Sequence, residues 1–598
     1  MRQHRCLGAH VVLALFLMFA VLALGHTDLE PQRVQDAHEQ QHQHSQDTTS
    51  STLVPPVQQN TPSQPEAPRY HFLFISFFGA GDFTPILNVM REAVRRGHRV
   101  SLLADNATSL ATDLTGIHFY PYDDIFTPEE AHVVMQTLRS FSTPGEEWEF
   151  VMGELFPRWY REQLPALEQL LDRLTLENNS PDVLVAHAAC VAPVDVAQSR
   201  NLRLVTIWPQ PYPMPLAPIL STHNCVGRDF PLQLSFVQKV QLALCVGKTI
   251  FDMVQAAAPL QAERGSRGYS GMWPEMLAPY RQIYTGVPPL SRTYDYSPLT
   301  VTVGPLIDTT DLASAGLTTM GPFSKTKNDL ELWLDDERLA SQPVVVLAFG
   351  STGTPTPAFL RALLTGFDRA FERLGTPHRL LLSCLWAPNT DADKQVDDNA
   401  VQQFVNGTTR DQWTTLRLER WIPQKQVLSH RSVVLFGTHC GFGSVSEGLY
   451  WGLPLLAYPF YFDQHDNANS VANARAGLVV SPHTASAPQI SSAAEQLLAP
   501  NNQFAERARL ISRVMRRAGG IAKAIDVLEE EAETGSEHLQ PDPNHYYDLL
   551  LVSLLVAWLL LWLLWRLVVT IFRCLCCRTS KPKPKPVAIS PSPKRKVA

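Results

Sequence analysis

A chain of 598 residues exceeds what a single core can organise, and 45% hydrophobic residues exclude a disordered polymer. The net charge of −7 supplies no basic surface for nucleic acid. Two substantial domains plus tails is the economical reading.

Residues 1–25 carry Arg2 and Arg5, then the apolar run Val11 to Leu24, with small Ala23 and Gly25 at a cleavage point. That is the pattern of a signal peptide. Residues 26–69 are rich in Gln, His, Ser, Thr and Pro and read as a disordered linker rather than a metal site.

The first domain is expected over 70–306. His71 to Phe78 reads as a buried strand, followed by the turn Gly79-Ala80-Gly81-Asp82-Phe83-Thr84-Pro85, a helix to about Arg96, and a strand over His98 to Ala104. This is a βαβ unit. A helix over Trp148 to Leu174, strands at Val183 to Ala186 and Leu202 to Trp208, a loop of five prolines over Pro209 to Pro218, and a strand at Val301 to Val303 follow. The polar stretch 307–340 reads as the interdomain linker.

The second domain, 341–530, repeats the theme. Val344 to Phe349 runs as a strand into Gly350, Ser351 and Gly353; a helix over Phe359 to Leu374 and strands at Arg379 to Leu385 and Leu416 to Arg420 come next, and a helix over Phe504 to Arg516 ends the series. Two blocks of alternating strands and helices predict an α/β protein of two facing, Rossmann-like, doubly wound domains, with ligand at the strands' carboxyl ends.

Residues 531–548 read as a juxtamembrane segment and 549–572 as one C-terminal transmembrane helix, because Leu549 to Trp565 is an uncharged Leu- and Trp-rich run. The basic tail 573–598 places that end in the cytosol by the positive-inside rule. The bulk is then lumen-facing on a single type I anchor. Sequons at Asn106, Asn178 and Asn406 are compatible with that compartment. Lys594 and Lys596 resemble a dilysine retrieval signal, and a generic basic tail fits as well. The cysteines show no metal-ligand spacing; one disulfide among Cys190, Cys225 and Cys245 stays open.

Trp421 to Gln464 is the most informative stretch. The apolar strand Val433 to Phe436 feeds, through His439, Cys440, Gly441 and Gly443, a helix expected near Ser444. A strand entering a helix through glycines is suited to an anion, because the first backbone N–H groups are unpaired and the helix dipole favours negative charge. Ser444 and Glu447 are also spaced as a capping box.

The run W-I-P-Q-x-x-V-L-S-H…T-H-C-G-F-G-S-x-x-E-G…G-L-P…P-F-x-x-D-Q-x-x-N-A resembles the sugar-nucleotide signature of the UDP-glycosyltransferases, the family 1 enzymes of GT-B fold. The likeness extends more loosely from Tyr70 to about Arg517. The signal peptide, anchor and basic tail resemble the animal-type members of the endoplasmic reticulum. The resemblance implies that Trp421 stacks on uracil and Gln424 contacts the base or ribose. His439 and the N–H groups around Gly441 to Ser444 would hold the diphosphate, with Ser351 contributing. Glu447 would take the ribose hydroxyls, and Asp463 and Gln464 the sugar, with glucose favoured over glucuronic acid or galactose.

The implied reaction is inverting hexosyl transfer from a UDP-sugar to a small lipophilic acceptor, without metal or further cofactor. Asp391 and Asp393 match the letters of a D-x-D metal site by coincidence. Partners are the donor, the acceptor and the membrane, with no nucleic acid; a homo-oligomer stays open. One departure is Gly443, where many members carry Asn.

A second departure touches the chemistry. The family's general base is a His in a G-H-x-x-P turn, and here Gly81-Asp82 stands in that turn. His187 stands where the partner Asp of that base is expected. Three readings follow: His187 is the base and Asp82 orients it; Asp82 takes the proton itself; or Asp82 caps a helix begun by Thr84-Pro85 and His187 is a core residue. The alternative to an enzyme is a membrane-anchored UDP-sugar-binding pseudoenzyme or subunit.

Overall fold

Alternation of apolar residues sets the layering of the first sheet, since successive side chains of a strand point to opposite faces. Phe72 and Phe74 enter one buried cluster, Leu73 and Ile75 another on the opposite face. The computed structural model describes residues 70–540, apart from 77–79, 107, 109–112, 128, 131–132, 135–136, 138–145, 147–148, 212–254, 271–279, 291–296, 311–326, 351–352, 354, 384–413, 420 and 462, together with scattered helical residues between 555 and 569. The expected signal peptide, the 26–69 linker, Ser351, Asp391, Asp393, Cys225, Cys245, Cys384, Asn406 and the basic tail lie outside the described residues.

In the first domain the elements are β1 (His71–Ile75), α1 (Ala80–Arg95), β2 (Arg99–Asp105), β3 (His118–Tyr122), α2 (Phe156–Leu176), β4 (Val183–His187), α3 (Ala192–Arg200), β5 (Leu204–Trp208), α4 (Ala258–Ser266), β6 (Arg281–Tyr284) and β7 (Thr300–Thr302). The strands form a parallel sheet in the order β3-β2-β1-β4-β5-β6-β7. Helices α2 to α4 cover one face. Between them Arg264 and Asp195, both fully buried, form a bidentate pair at 2.7 and 2.9 Å, and Tyr160 donates to the same carboxylate at 2.8 Å.

The second domain contains α5 (Lys327–Leu334), β8 (Val344–Ala348), α6 (Pro357–Leu374), β9 (His378–Ser383), β10 (Thr414–Glu419), α7 (Gln424–Ser429), β11 (Val433–Thr438), α8 (Phe442–Tyr450), β12 (Leu455–Ala457), α9 (Gln464–Asn473), β13 (Gly477–Val479), α10 (Ala487–Leu498) and α11 (Gln503–Arg517). Its parallel sheet runs β10-β9-β8-β11-β12-β13. Helix α6 shows why the sequence folds as it does. Thr356 accepts from the Phe359 N–H, Pro357 opens the first turn, and Gly375 closes the helix at φ 64°. Its apolar stripe, Phe359, Leu363 and Phe367, meets Val345 and Leu347 of β8.

The domain limit expected at 530 is corrected by the last helix. After Gly519 and Gly520, at φ +106° and +57°, α12 (Gly520–Thr534) leaves the second domain and packs on the first, placing Ile525 and Leu528 against Phe72 and Phe74. Only glycine enters this left-handed region at no steric cost, so the doubled glycine is what lets the chain turn back. Polar ties fix α12: Arg96 to Asp526 at 2.7 Å, His98 to Glu529 at 2.8 Å, and Arg281 to Glu530 at 2.7 Å.

The chain divides into a unit spanning 53–540 and a second made of 1–52 and 541–598. Among the described residues no helix is long and apolar enough to cross a membrane, and the expected 549–572 span lies largely outside them. The residues that are described there are helical and apolar, with Leu555, Trp558 and Trp565 exposed and Arg566 over the Trp562 ring at 5.0 Å.

Candidate active site

Both sheets reverse their strand order once, between β1 and β4 in the first domain and between β8 and β11 in the second. At such a switch point the loops leave in opposite directions and open a crevice for ligand. The residues singled out by sequence sit there. Asp82 follows β1, His187 ends β4, and His439 follows β11.

The helix after His439 starts two residues earlier than expected, at Phe442, with Gly441 as N-cap and no side-chain cap. The capping-box reading of Ser444 and Glu447 is therefore incorrect: Ser444 is the third residue of the helix, and Glu447 is turned to Gln424. The first helical bond runs from the Val445 N–H to Gly441 O at 3.1 Å, so the N–H groups of Phe442, Gly443 and Ser444 have no partner within the helix. Cys440, at φ 68°, makes the turn between strand and helix. The Asn467 amide holds the Cys440 carbonyl at 3.1 Å and reaches Asp463 Oδ2 at 2.7 Å.

His439 is buried between two glycines. A Cβ at Gly350 would stand 2.6 Å from its Cε1, and one at Gly441 would stand 2.7 Å from its Nε2. Burial lowers its pKa to about 4, against a hydrogen bond to the Ala348 backbone carbonyl that raises it. The imidazole is neutral at pH 7, so it meets a phosphate first as a hydrogen-bond donor.

Gln424 Nε2 donates to Glu447 Oε2 at 2.7 Å and to Ser444 Oγ at 3.1 Å, and Trp421 lies half-buried in the loop before α7. Burial raises the Glu447 pKa, opposed by Gln424 and the Lys425 charge. Lys425 Nζ donates to Asp308 O at 2.6 Å, tying α7 to the chain leaving the first domain. Gln464 is placed differently from the expectation of a sugar contact. It is buried, with Oε1 accepting from the Phe460 and Tyr461 N–H groups at 2.9 and 3.3 Å, because as the first residue of α9 it folds back on its own loop. Asp463, just before it, is half-buried, and its pKa rises to about 7 through burial and then the charge of Asp82.

On the facing side, α1 begins at Ala80 rather than at Thr84, so Asp82 lies inside the first turn and is not its cap. Pro85 falls within the helix and has no N–H to give the Gly81 carbonyl. That carbonyl points at α8: a Cβ on Gly443 would stand 3.8 Å from it. The two helix starts therefore meet across the cleft. Asp82 is 38% exposed; His187 lies beneath it, 1% exposed, with Nε2 3.8 Å from Asp82 Oδ1. The Ala189 N–H donates to His187 Nδ1 at 3.2 Å. An amide can only donate, so the neutral ring carries its proton on Nε2, facing Asp82.

Sequence reasoning missed Asn467 as a functional residue, although its spacing of four from Asp463 puts both on one helical face. It also missed Trp208 at the end of β5, whose ring centre is 5.4 Å from that of His187.

Residues 385–520 match the sequence profile of the UDP-glucoronosyl and UDP-glucosyl transferase family. An anthocyanidin 3-O-galactosyltransferase of Rhododendron delavayi is 34% identical over 179 residues, 30% of this chain and 34% of that protein. The UDP-glycosyltransferase stmC of Aspergillus ustus is 23% identical over 414 residues, 66% of this chain and 73% of that one. The chain thus spans about a third of the first of these relatives, and more of the second. Among solved structures, the kitacinnamycin glycotransferase superposes with a TM-score of 0.53 at 21% identity, covering 77% of this chain and 99% of that one. Os79 of O. sativa, solved with U2F and trichothecene, gives 0.54 at 17% identity, covering 77% of this chain and 100% of that one. With two parallel sheets facing across a cleft and an anion-binding turn inside the matched segment, the chain has the GT-B glycosyltransferase fold and carries, over residues 385–520, a domain matching the UDP-glucoronosyl and UDP-glucosyl transferase family.

Proposed function

We propose that the protein transfers a hexosyl group from a UDP-sugar, with inversion and without metal, to a small lipophilic acceptor held by the first domain. The observation that carries this is the set of open N–H groups at Phe442 to Ser444 beside neutral His439, at the switch point of the second sheet. Those donors stabilise the negative charge that develops on the departing UDP. Trp421 and Gln424 flank the nucleoside, Glu447 takes the ribose hydroxyls in exchange for Gln424, and Asp463 takes the sugar.

Asp82 is the proton acceptor in this reading. It is the member of the pair that reaches the cleft, whereas His187 is buried and carries its proton on the nitrogen that faces Asp82. His187 is thus a positioning residue that steadies the carboxylate. A carboxylate is by nature a weaker base than imidazole, roughly 3.9 against 6.5 in reference pKa. Acidic acceptors, phenols above all, are therefore favoured over aliphatic alcohols.

The test is transfer to a phenol and to an aromatic amine by the parent, Asp82→Asn and His187→Ala. Phenol turnover should fall about a hundredfold or more in Asp82→Asn and less in His187→Ala, with UDP binding retained. UDP binding without transfer to any acceptor by the parent would instead establish a binding pseudoenzyme. We further propose a single C-terminal anchor at 549–572 with the catalytic domains in the lumen of the endoplasmic reticulum, supported by the apolar run, the exposed Leu and Trp side chains there and the basic tail. Protease protection in sealed microsomes tests it.

A further inference from the structure

Asn467, the fourth residue of α9, is 2% exposed and spends one nitrogen on two partners. Its Nδ2 lies 3.1 Å from Cys440 O and 2.7 Å from Asp463 Oδ2. A backbone carbonyl can only accept, so the amide orientation follows from the contact itself, and Nδ2 carries two hydrogens, one for each acceptor. An Asp in its place would have no such hydrogens, and a Gln would carry them one methylene further out.

The two acceptors belong to the two halves of the donor site. Cys440 precedes Gly441, the N-cap of α8, and stands at φ 68°. A residue with a Cβ keeps that left-handed conformation only where its surroundings fix it. Here Thr438 Oγ1 takes the Cys440 N–H at 3.2 Å and Asn467 holds the Cys440 carbonyl. The turn that leads to the open N–H groups of Phe442 to Ser444 is thus gripped at both ends. Asp463 is the N-cap of α9, yet its side chain makes no cap bond. An Asp that served only to start its helix would accept from its own first turn. Its carboxylate is held by Asn467 instead.

We propose that Asn467 is a positioning residue for the transfer: its one amide fixes the sugar-binding carboxylate relative to the diphosphate turn. This deepens the reading of Asp463 as the sugar contact and rests on it. Cleavage of the bond between C1 and the β-phosphate oxygen needs both of its ends placed at once, the phosphate at the start of α8 and the sugar at Asp463. UDP alone engages only the first of these. Asn467 therefore counts for the sugar nucleotide and little for UDP.

The experiment is a double-variant cycle on kcat/KM for UDP-glucose with a saturating phenol, in the parent, Asn467→Ala, Asp463→Ala and the pair combined, with calorimetric UDP binding measured on each. Asn467→Ala should lose about thirtyfold or more in kcat/KM while its UDP Kd stays within about threefold. Asn467→Asp, which keeps the shape and removes the hydrogens, should lose at least as much. In the Asp463→Ala background the loss of Asn467 should cost less than about threefold, because the group it places is already gone. Losses that multiply independently in the combined variant, or a fall in UDP affinity that matches the fall in kcat/KM, mark a residue that only supports the fold, and either result overturns the inference. If Asp463→Ala keeps the parent's kcat/KM, the assignment of Asp463 to the sugar fails, a different result from an additive cycle.

Discussion

His439 and Asp463 titrate with opposite sign, and each leaves a mark on stability. The imidazole of His439, pushed by burial to about 4, resists protonation in the folded state. Its folded value lies below the ordinary one, so its contribution is complete above pH 6.5 and is lost as pH falls towards 4. Unfolding free energy should drop by roughly 3 kcal/mol across that window, and urea melts of His439→Gln should show a flatter dependence. Asp463, raised to about 7 by burial and Asp82, runs the other way. Its contribution is present below the ordinary carboxylate value and lost as pH rises through 7, so Asp463→Asn should gain stability over the parent at pH 8 in the same melts. In the first domain, Asp195 with Arg264 and Tyr160 is a fully buried network. Asp195→Ala leaves Arg264 without its counter-charge and should cost about 3–5 kcal/mol, read as a lowered urea midpoint.

Elements built on long local patterns were legible, and those built on tertiary contact were not. The sheet strands β1, β4, β8 and β11 are continuous buried runs, and each was located to within a few residues. So was α6, which carries its cap, proline and terminal glycine in the sequence. By contrast α1 begins inside what reads as a loop, because Gly81 and Pro85 both argue against a helix, yet Pro85 falls early enough in the helix to be accommodated. The three-residue strands β12 and β13 are too short for a period to show. Of the candidate site, residue types and spacing singled out His439 and Asp463. They could not reveal that Gln464 folds back or that His187 carries its proton towards Asp82, since both depend on single backbone amides. The elbow before α12 rests on Gly519, where a Cβ would stand 2.7 Å from that of Lys523 at φ +106°. Gly519→Ala should cost about 1–3 kcal/mol and lower Tm by several degrees.

At the scale of the molecule, the chain crosses between the domains twice, outward after Val303 and back at Ala518 to Gly520. The crossings touch. The Gly520 N–H donates to Val303 O at 2.7 Å, and Gly304, at φ +79°, has no room for a Cβ beside Ala518. A cavity of about 230 Å³ lies against them, lined by Glu92, Arg95, Asp308, Tyr450 and Arg516 among others. Ending the chain at Arg517 would strip Ile525 and Leu528 from Phe72 and Phe74 and should leave the first domain protease-sensitive, which limited digestion can check. Because the outgoing and returning segments are bonded to each other, they form one connection rather than two separate tethers, so a change that disturbs either crossing also disturbs the other.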